Sequence, residues 1–475
     1  MDDNSISYLT TVKDINNEKW VQAFDKKYNV KMTITLLSHK NLQQAAQVLF
    51  ASGKVPDIFR MYNTYLDTKM CNSVQGGVFM PLDSVLATAK SKGEISNLLK
   101  KLPAKAWDRE KYNGKTYGIP NEYLSVSSRR ATYIRKDLLE KAGLKPPTTL
   151  DEMVKVLQAF KDMGVKYPYA GRQNFAYTDI VFGAYGLSYS SPYDYSLTKD
   201  GKLEPDMVHP EMLEALKLMA SLRQQGLMDP ESLTTSQTDW SNKIYTGQVG
   251  MFDMNAILLD SYNANLKQNV PGGEFELIAS PAGPDGKKGM YKYPLVQEST
   301  YINKNFRNAE RFLVLLDQLA SDKGQEFLAL GEEGTDSTKD SSGKIQYTYP
   351  ANATQQSAIT WRKQLGFIAD QAYDPILINY QPAGKDILNW MKNVGSKEGK
   401  VNIEPGDLAS INSHPELQPG NCDLFMQMAS KVFYGQGSAD QLFNQFVSDY
   451  MSRGGSDVVK EATAAYKAGK TFADN

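Results

Sequence analysis

Residues 112–150 read YNGKTYGIPNEYLSVSSRRATYIRKDLLEKAGLKPPTTL. Asn113-Gly114 is a strong reversal signal, because both residues tolerate a left-handed backbone. A short apolar strand is expected at 117–120. A second strand follows at 131–135, where Ala131, Tyr133 and their neighbours alternate with polar residues. It runs directly into a helix at 137–142, which Gly143 closes. After Pro146-Pro147, Thr149 with Glu152 three residues on reads as a capping box opening the next helix. Reversal, strand, strand, short helix, double proline and capped helix give the punctuation of an α/β chain.

The same alternation extends outward. A short strand is expected at 7–12, a helix at 20–28 (Trp20, Val21, Phe24), a strand at 30–37 and a helix at 42–51 ended by Gly53. A strand at 55–59 follows. Beyond the quoted stretch, Met153, Val154, Leu157 and Phe160 share a helical face, and a tyrosine-rich region spans 167–195. A helix is expected at 211–226 with Pro210 just inside its start. A strand is expected within 245–252, a turn-rich connection at 281–288, and helices at 309–319 and 322–331. Residues 336–343 form a polar loop, 361–374 are poorly patterned, and helices at 385–392, 423–434, 439–453 and 458–468 close the chain. Trp20, Trp107 and Trp390 read as helix or core residues; Trp240 has two open readings, the start of a helix or the lining of a binding cleft.

With 475 residues the chain is too long for one ordinary domain. Its 53 basic and 54 acidic side chains nearly cancel, and no Lys/Arg cluster suggests a nucleic-acid or anionic-membrane surface. No apolar run approaches the ~20 residues of a membrane span. Cys71 and Cys422 match no metal spacing, and whether they are bridged stays open. The three histidines, His39, His209 and His414, show no metal or catalytic spacing, and no nucleophile elbow, phosphate loop or dinucleotide fingerprint occurs. A glycosidase carboxylate pair is not excluded by sequence, but nothing singles one out.

The pattern G-K-x-Y-G-I-P at 114–120, continued by x-Y-I-R-K-D-L-x-E-K-A-G-L-x-P-P-x-T-x-x-E at 132–152, resembles the extracellular solute-binding proteins (family 1) of carbohydrate ABC importers. Within that family the chain is similar to maltose-binding and alginate-oligosaccharide-binding proteins. Four further stretches fit in the same order: ASGKVPDIF at 51–59, GGVFMPLD at 76–83, YTGQVGMF at 245–252, and the helices at 309–331 containing Gly324-Gln325-Glu326-Phe327. The resemblance implies a two-lobe periplasmic-binding fold of type II character, hinge-linked, with a helical C-terminal region. The N-terminal lobe would be 1–124 plus 300–345, and the C-terminal lobe 125–299 plus 375–475. Residues 346–374 would be a third crossing. Some alginate-binding relatives carry a calcium loop after the helix corresponding to 150–161. Here that place holds a single carboxylate, Asp162, so neither a metal nor a cofactor is expected.

A sugar cleft needs aromatic faces for C–H surfaces and paired donors and acceptors for hydroxyls, carried on loops at strand ends. The candidates are Tyr62 and Asn63 after the 55–59 strand, then Glu122, Tyr123, Arg129 and Arg130 at the first crossing. One of the two arginines would make a structural ion pair, and the other would suit a uronic-acid carboxylate. Tyr177 and Tyr185 fall where the family places stacking aromatics. Asp253 and Asn255 follow the 245–252 strand, Gln297 and Glu298 lie at the second crossing, and Tyr373 and Asp374 at the third. For each of these, ordinary packing is the competing role.

The resulting expectation is the ligand-capturing subunit of an ABC importer, binding an oligosaccharide and making or breaking no bond. A glycoside hydrolase or lyase, or a peptide-binding protein of the same fold, is the alternative. Its partners would be the glycan and the permease subunits. The protein would be an extracytoplasmic monomer, tied to the membrane only through an N-terminal lipid anchor removed with the signal segment.

Overall fold

The computed structural model describes residues 1, 3, 6–38, 42–62, 68–121, 129–189, 194–292, 296, 298–368, 374–406, 408–420 and 422–473. The chain divides into two compact units, Met1–Ser125 with Pro294–Gln381, and Val126–Tyr293 with Pro382–Asn475.

The first unit is built on three strands. Glu298–Ile302 lies in the centre, antiparallel to Ile58–Tyr62 on one side and to Gly118–Asn121 on the other. Glu298 is in register with both Tyr62 and Asn121, so three chain ends meet at one edge of the sheet. All five residues of the central strand are buried, as expected of a strand covered on both faces. The 111–116 hairpin turns through Asn113 and Gly114, at φ +48° and +77°, the signs a tight two-residue turn demands.

The expected strand at 7–12 is instead a 3-10 helix, Ser7–Thr11, because Thr10 and Thr11 hydroxyls donate back to the carbonyls of Ser7 and Tyr8 at 2.8 and 2.7 Å. The poorly patterned 361–374 stretch begins inside a helix, Ala353–Gln364, capped by the Asn352 side chain. Its Trp361 is fully buried and donates its indole N–H to Glu18 at 2.9 Å. The same Glu18 oxygen caps the helix Lys19–Tyr28 by accepting from Trp20 and Val21. Residues 346–368 and 374 therefore belong to the first unit rather than forming a separate crossing.

In the second unit a four-stranded sheet runs in the order Phe275–Ile278, Arg130–Arg135, Val249–Asn255, Tyr167–Tyr169. The last pair is parallel and the others antiparallel. Cross-strand partners on an antiparallel pair share a face. Arg130/Asn255 and Thr132/Asp253 therefore lie on one face, while Tyr133 stacks on Phe252 (4.8 Å, 20°) on the other. The helix Leu150–Asp162 buries Met153, Val156, Leu157 and Phe160 against this sheet. Thr149 caps it by accepting from the Glu152 N–H, and Glu152 reaches back to Thr148 at 2.7 Å rather than to Thr149. The helices Pro210–Gln224, Asp423–Tyr434 and Ala439–Tyr450 complete the core, where Cys422 is buried with a free thiol.

Candidate ligand-binding site

Val249–Asn255 and Tyr167–Tyr169 are parallel, so their carboxyl ends point the same way. In open α/β sheets ligands sit beyond such ends. The loop leaving the shorter strand, 171–178, is tightly wound. Arg172 N–H donates to the Ala176 carbonyl at 2.9 Å, and Asn174, Phe175 and Tyr177 hold φ of +57°, +58° and +60°. Left-handed backbone at bulky residues costs of order 1 kcal/mol or more each and persists only where packing imposes it. Here Phe175 is the anchor, buried against Phe182 and Phe433 at 6.0 and 6.3 Å. With Phe175 drawn into the core, Tyr177 is turned toward the end of the sheet.

The Tyr177 ring stacks on Trp240 at 5.3 Å and 21°. Trp240 lies in the helix Gln237–Tyr245, is 1% exposed, and donates to the Ala170 carbonyl at 3.3 Å. Over the same tyrosine ring lie two guanidinium groups, Arg130 at 4.6 Å and Arg172 at 4.8 Å. Cations over aromatic faces are attracted by the ring quadrupole. Three partners on two faces leave little open stacking surface, so the ring works as a spacer holding two cations.

Arg130 Nη1 donates to both oxygens of Asp179, at the start of the helix Asp179–Ala184. Arg172 Nη1 donates to Gln237 Oε1 at 2.8 Å. Burial lowers the Arg172 pKa, and the neighbouring Arg130 charge adds to that. Beneath this layer Asp253 is fully buried, accepting from Thr132 Oγ1, Tyr169 OH and Ile180 N–H at 3.2, 3.3 and 3.2 Å. Burial first, and the Asp179 charge second, push its carboxyl well above the usual range. Asn255, opposite Arg130 in register, has a buried Oδ1 without a hydrogen-bond partner. The arrangement offers guanidinium donors and positive charge to a small polar ligand, with an unpartnered amide oxygen buried beside them.

A family model described as bacterial extracellular solute-binding protein matches residues 13–326, more than half of the chain. The chain belongs to that family. Among curated relatives of this solute-binding protein, the polygalacturonan/rhamnogalacturonan-binding protein YtcQ of Bacillus subtilis is 23% identical over 477 residues, spanning 95% of this chain and 89% of that protein. Among solved structures, the alginate-binding protein AlgQ2 without calcium ion aligns with a TM-score of 0.70 at 21% identity, covering 95% of this chain and 94% of that one. An EF-hand mutant of the Streptococcus pneumoniae substrate-binding protein FusA, in complex with fructo-nystose, aligns at 0.71 and 18% identity, covering 97% of each. These likenesses establish the two-domain fold of solute-binding proteins, and the named relatives are binding proteins.

In this solute-binding protein the structure brings Arg130, Tyr177 and Asn255 together, with Asp253 behind them. Arg129 lies one residue before the strand, where its carbonyl accepts from Ala256 N–H at 2.8 Å. Tyr185 is elsewhere: it ends the helix Asp179–Ala184, packs on the hydrophobic core, and accepts from Lys287 through its carbonyl at 3.4 Å. In the first unit Glu298 is 1% exposed and ion-paired with Arg60, itself 3% exposed, which turns it from an expected ligand contact into a buried structural charge. Asp374 caps the helix Pro375–Ile378 and pairs with Lys363 at 3.0 Å, so its carboxylate is spent locally. Tyr62 ends its strand, and its side chain lies outside the description. Asn63, Glu122, Tyr123, Gln297 and Tyr373 lie outside the described residues.

Arg172, Asp179 and Trp240 were not singled out by the sequence. The signal was present in part: Ser236, with its hydroxyl accepting from Asp239 N–H, caps a helix in which Trp240 and Ile244 share a face. A polar surface cleft of about 590 Å³ lies along the same helix, lined by Lys166, Tyr167, Asp239 and Lys243 among others, without reaching the Tyr177 cluster. Among the described residues no three His, Cys, Asp or Glu side chains are grouped to hold a metal ion. None of the helices described is long and apolar enough to cross a membrane.

Proposed function

We propose that this chain captures an oligosaccharide outside the cytoplasmic membrane and delivers it, chemically unchanged, to the permease of an ABC importer. The observation that carries the reading is the Arg130–Tyr177–Arg172 group with Asn255, gathered at the carboxyl ends of two parallel strands. Guanidinium donors and aromatic edges are the complement of a polyhydroxylated ligand. Family membership supports the transport role, and relatives named for binding polygalacturonan, rhamnogalacturonan, alginate and fructooligosaccharides support the sugar class. Attachment by a lipid anchor, a monomeric working form and the absence of catalysis belong to the same reading. Two buried carboxylates, Asp179 and Asp253, stand near the site, but one is held by Arg130 and the other is sealed under the sheet end, so neither is placed as a general acid.

The test is a thermal-shift screen against oligosaccharides of two to four sugars, followed by chromatography of the recovered ligand. A ligand that binds only the folded protein raises the midpoint by mass action. Stabilisation with the sugar recovered intact supports capture. Cleavage products would replace the reading with a hydrolase or lyase, and stabilisation by peptides alone would replace the ligand class.

A further inference from the structure

The Tyr177 cluster carries one more positive charge than its own carboxylates neutralise. Arg130 is matched by Asp179, and the oxygens of the buried Asp253 are taken by Thr132, Tyr169 and the Ile180 N–H. Among the described residues Arg172 has no ion-pair partner: its Nη1 is bonded to the neutral Gln237, and its Nε is buried without a hydrogen-bond partner there. A partly desolvated guanidinium with an idle N–H is costly to leave as it is. Sugar hydroxyls could occupy the idle donor but would leave the charge uncompensated. A carboxylate does both, and charge-assisted bonds are roughly twice as strong as neutral ones.

Position favours Arg172 over Arg130 as the reader. Both Asp179 oxygens already draw on Arg130, which fixes that guanidinium on the Tyr177 ring. Arg172 sits on the wound loop at the carboxyl end of Tyr167–Tyr169, with its plane steadied by the same ring and by Gln237. The cationic neighbour repels further cations and draws anions to the same spot.

Resting on the oligosaccharide reading above, we propose that Arg172 reads a carboxylate of the bound glycan, so that this site selects a uronic acid, with Arg130 as a positioning residue. The probes are trigalacturonate, its fully methyl-esterified form, and the neutral trisaccharides maltotriose and kestose, measured by titration calorimetry. Wild-type protein is expected to bind trigalacturonate at least about tenfold tighter than the ester. Arg172→Gln should abolish the preference for the acid over the ester, whatever it does to ester binding itself, and Arg172→Lys should restore part of the difference. Should the loop variants fold poorly by circular dichroism, salt serves instead. Raising ionic strength from about 20 to about 300 mM should weaken binding of the acid and spare the ester. Undiminished acid binding in Arg172→Gln, or equal salt response of acid and ester, would overturn the assignment. Binding of the neutral trisaccharides alone would keep the oligosaccharide reading and remove the carboxylate. Binding of none of the four would remove both.

Discussion

A single nitrogen of Arg130, Nη1, lies 2.7 and 2.6 Å from the two carboxylate oxygens of Asp179. The side chains are 14% and 6% exposed, so the pair is largely desolvated. Breaking such a pair from one side strands the remaining charge, at a cost of about 3–5 kcal/mol. Arg130→Ala should therefore lower stability by about 3 kcal/mol in urea titrations at pH 7. The double variant Arg130→Ala/Asp179→Asn should recover more than half of the loss; equal losses in single and double variants would mean the pair contributes little.

Trp240 supports Tyr177 from below, and its other neighbours are Phe252 at 5.5 Å and Tyr262 at 6.5 Å. Trp240→Ala leaves a cavity under the cluster and should cost about 3–5 kcal/mol. Trp240→Phe should cost less and still impair ligand binding, because the Ala170 carbonyl loses its donor and the loop loses its footing. A denaturant midpoint and a binding isotherm on both variants separate the two effects.

Glu110 in the first unit is fully buried. Burial raises its carboxyl to about 8, while the Ser299 hydroxyl, donating at 2.6 Å, and Arg109 pull the other way. The folded state keeps a proton that the unfolded chain releases above about pH 4.5. Stability contributed in this way is complete in acid and falls by up to about 1.4 kcal/mol per pH unit until the folded group also ionises near pH 8. Glu110→Gln should therefore raise the melting temperature at pH 8 and change it little at pH 4.5. A gain that does not grow with pH would show that the carboxyl ionises freely.

Gly183 sits in the helix that begins with Asp179, and a Cβ there would come within 1.6 Å of the Gly289 carbonyl oxygen. The obstacle is backbone, so the helix itself must move. Gly183→Ala should cost about 3 kcal/mol and should weaken ligand binding as well, since Asp179 moves with the helix and Arg130 with Asp179. Calorimetric binding alongside thermal melts checks the coupling; a destabilised protein with unaltered affinity would disprove it.

Much of the architecture was readable because it is local. Gly143, Thr149, Pro210 and the apolar faces of the 150–162 and 423–434 helices announce their elements within a few residues. Ala353–Gln364 was obscured because Arg362, Lys363 and Gln364 are 2%, 5% and 2% exposed, so polar residues occupy the buried face that periodicity expects to be apolar. The site was legible only in pieces. Arg130 could be named from the first crossing and Tyr177 from the family resemblance, but their meeting depends on a loop wound through three left-handed residues. Glu298 could not be recognised as structural, because its partner Arg60 lies 238 residues away. Long-range pairing of charges leaves no periodic trace in sequence.

The central strand of the first unit, Glu298–Ile302, joins two strands made far earlier in the chain. Until it emerges from the ribosome, Ile58–Tyr62 and Gly118–Asn121 have no partner between them and cannot form the sheet. The second unit likewise waits for Pro382–Asn475. Closing such distant contacts is slow, and a growing chain passes through a long period without a finished core. For a member of an extracellular solute-binding family, late closure would have a use: a polypeptide that cannot complete its sheets early remains a thread, the form in which a chain is passed through a membrane.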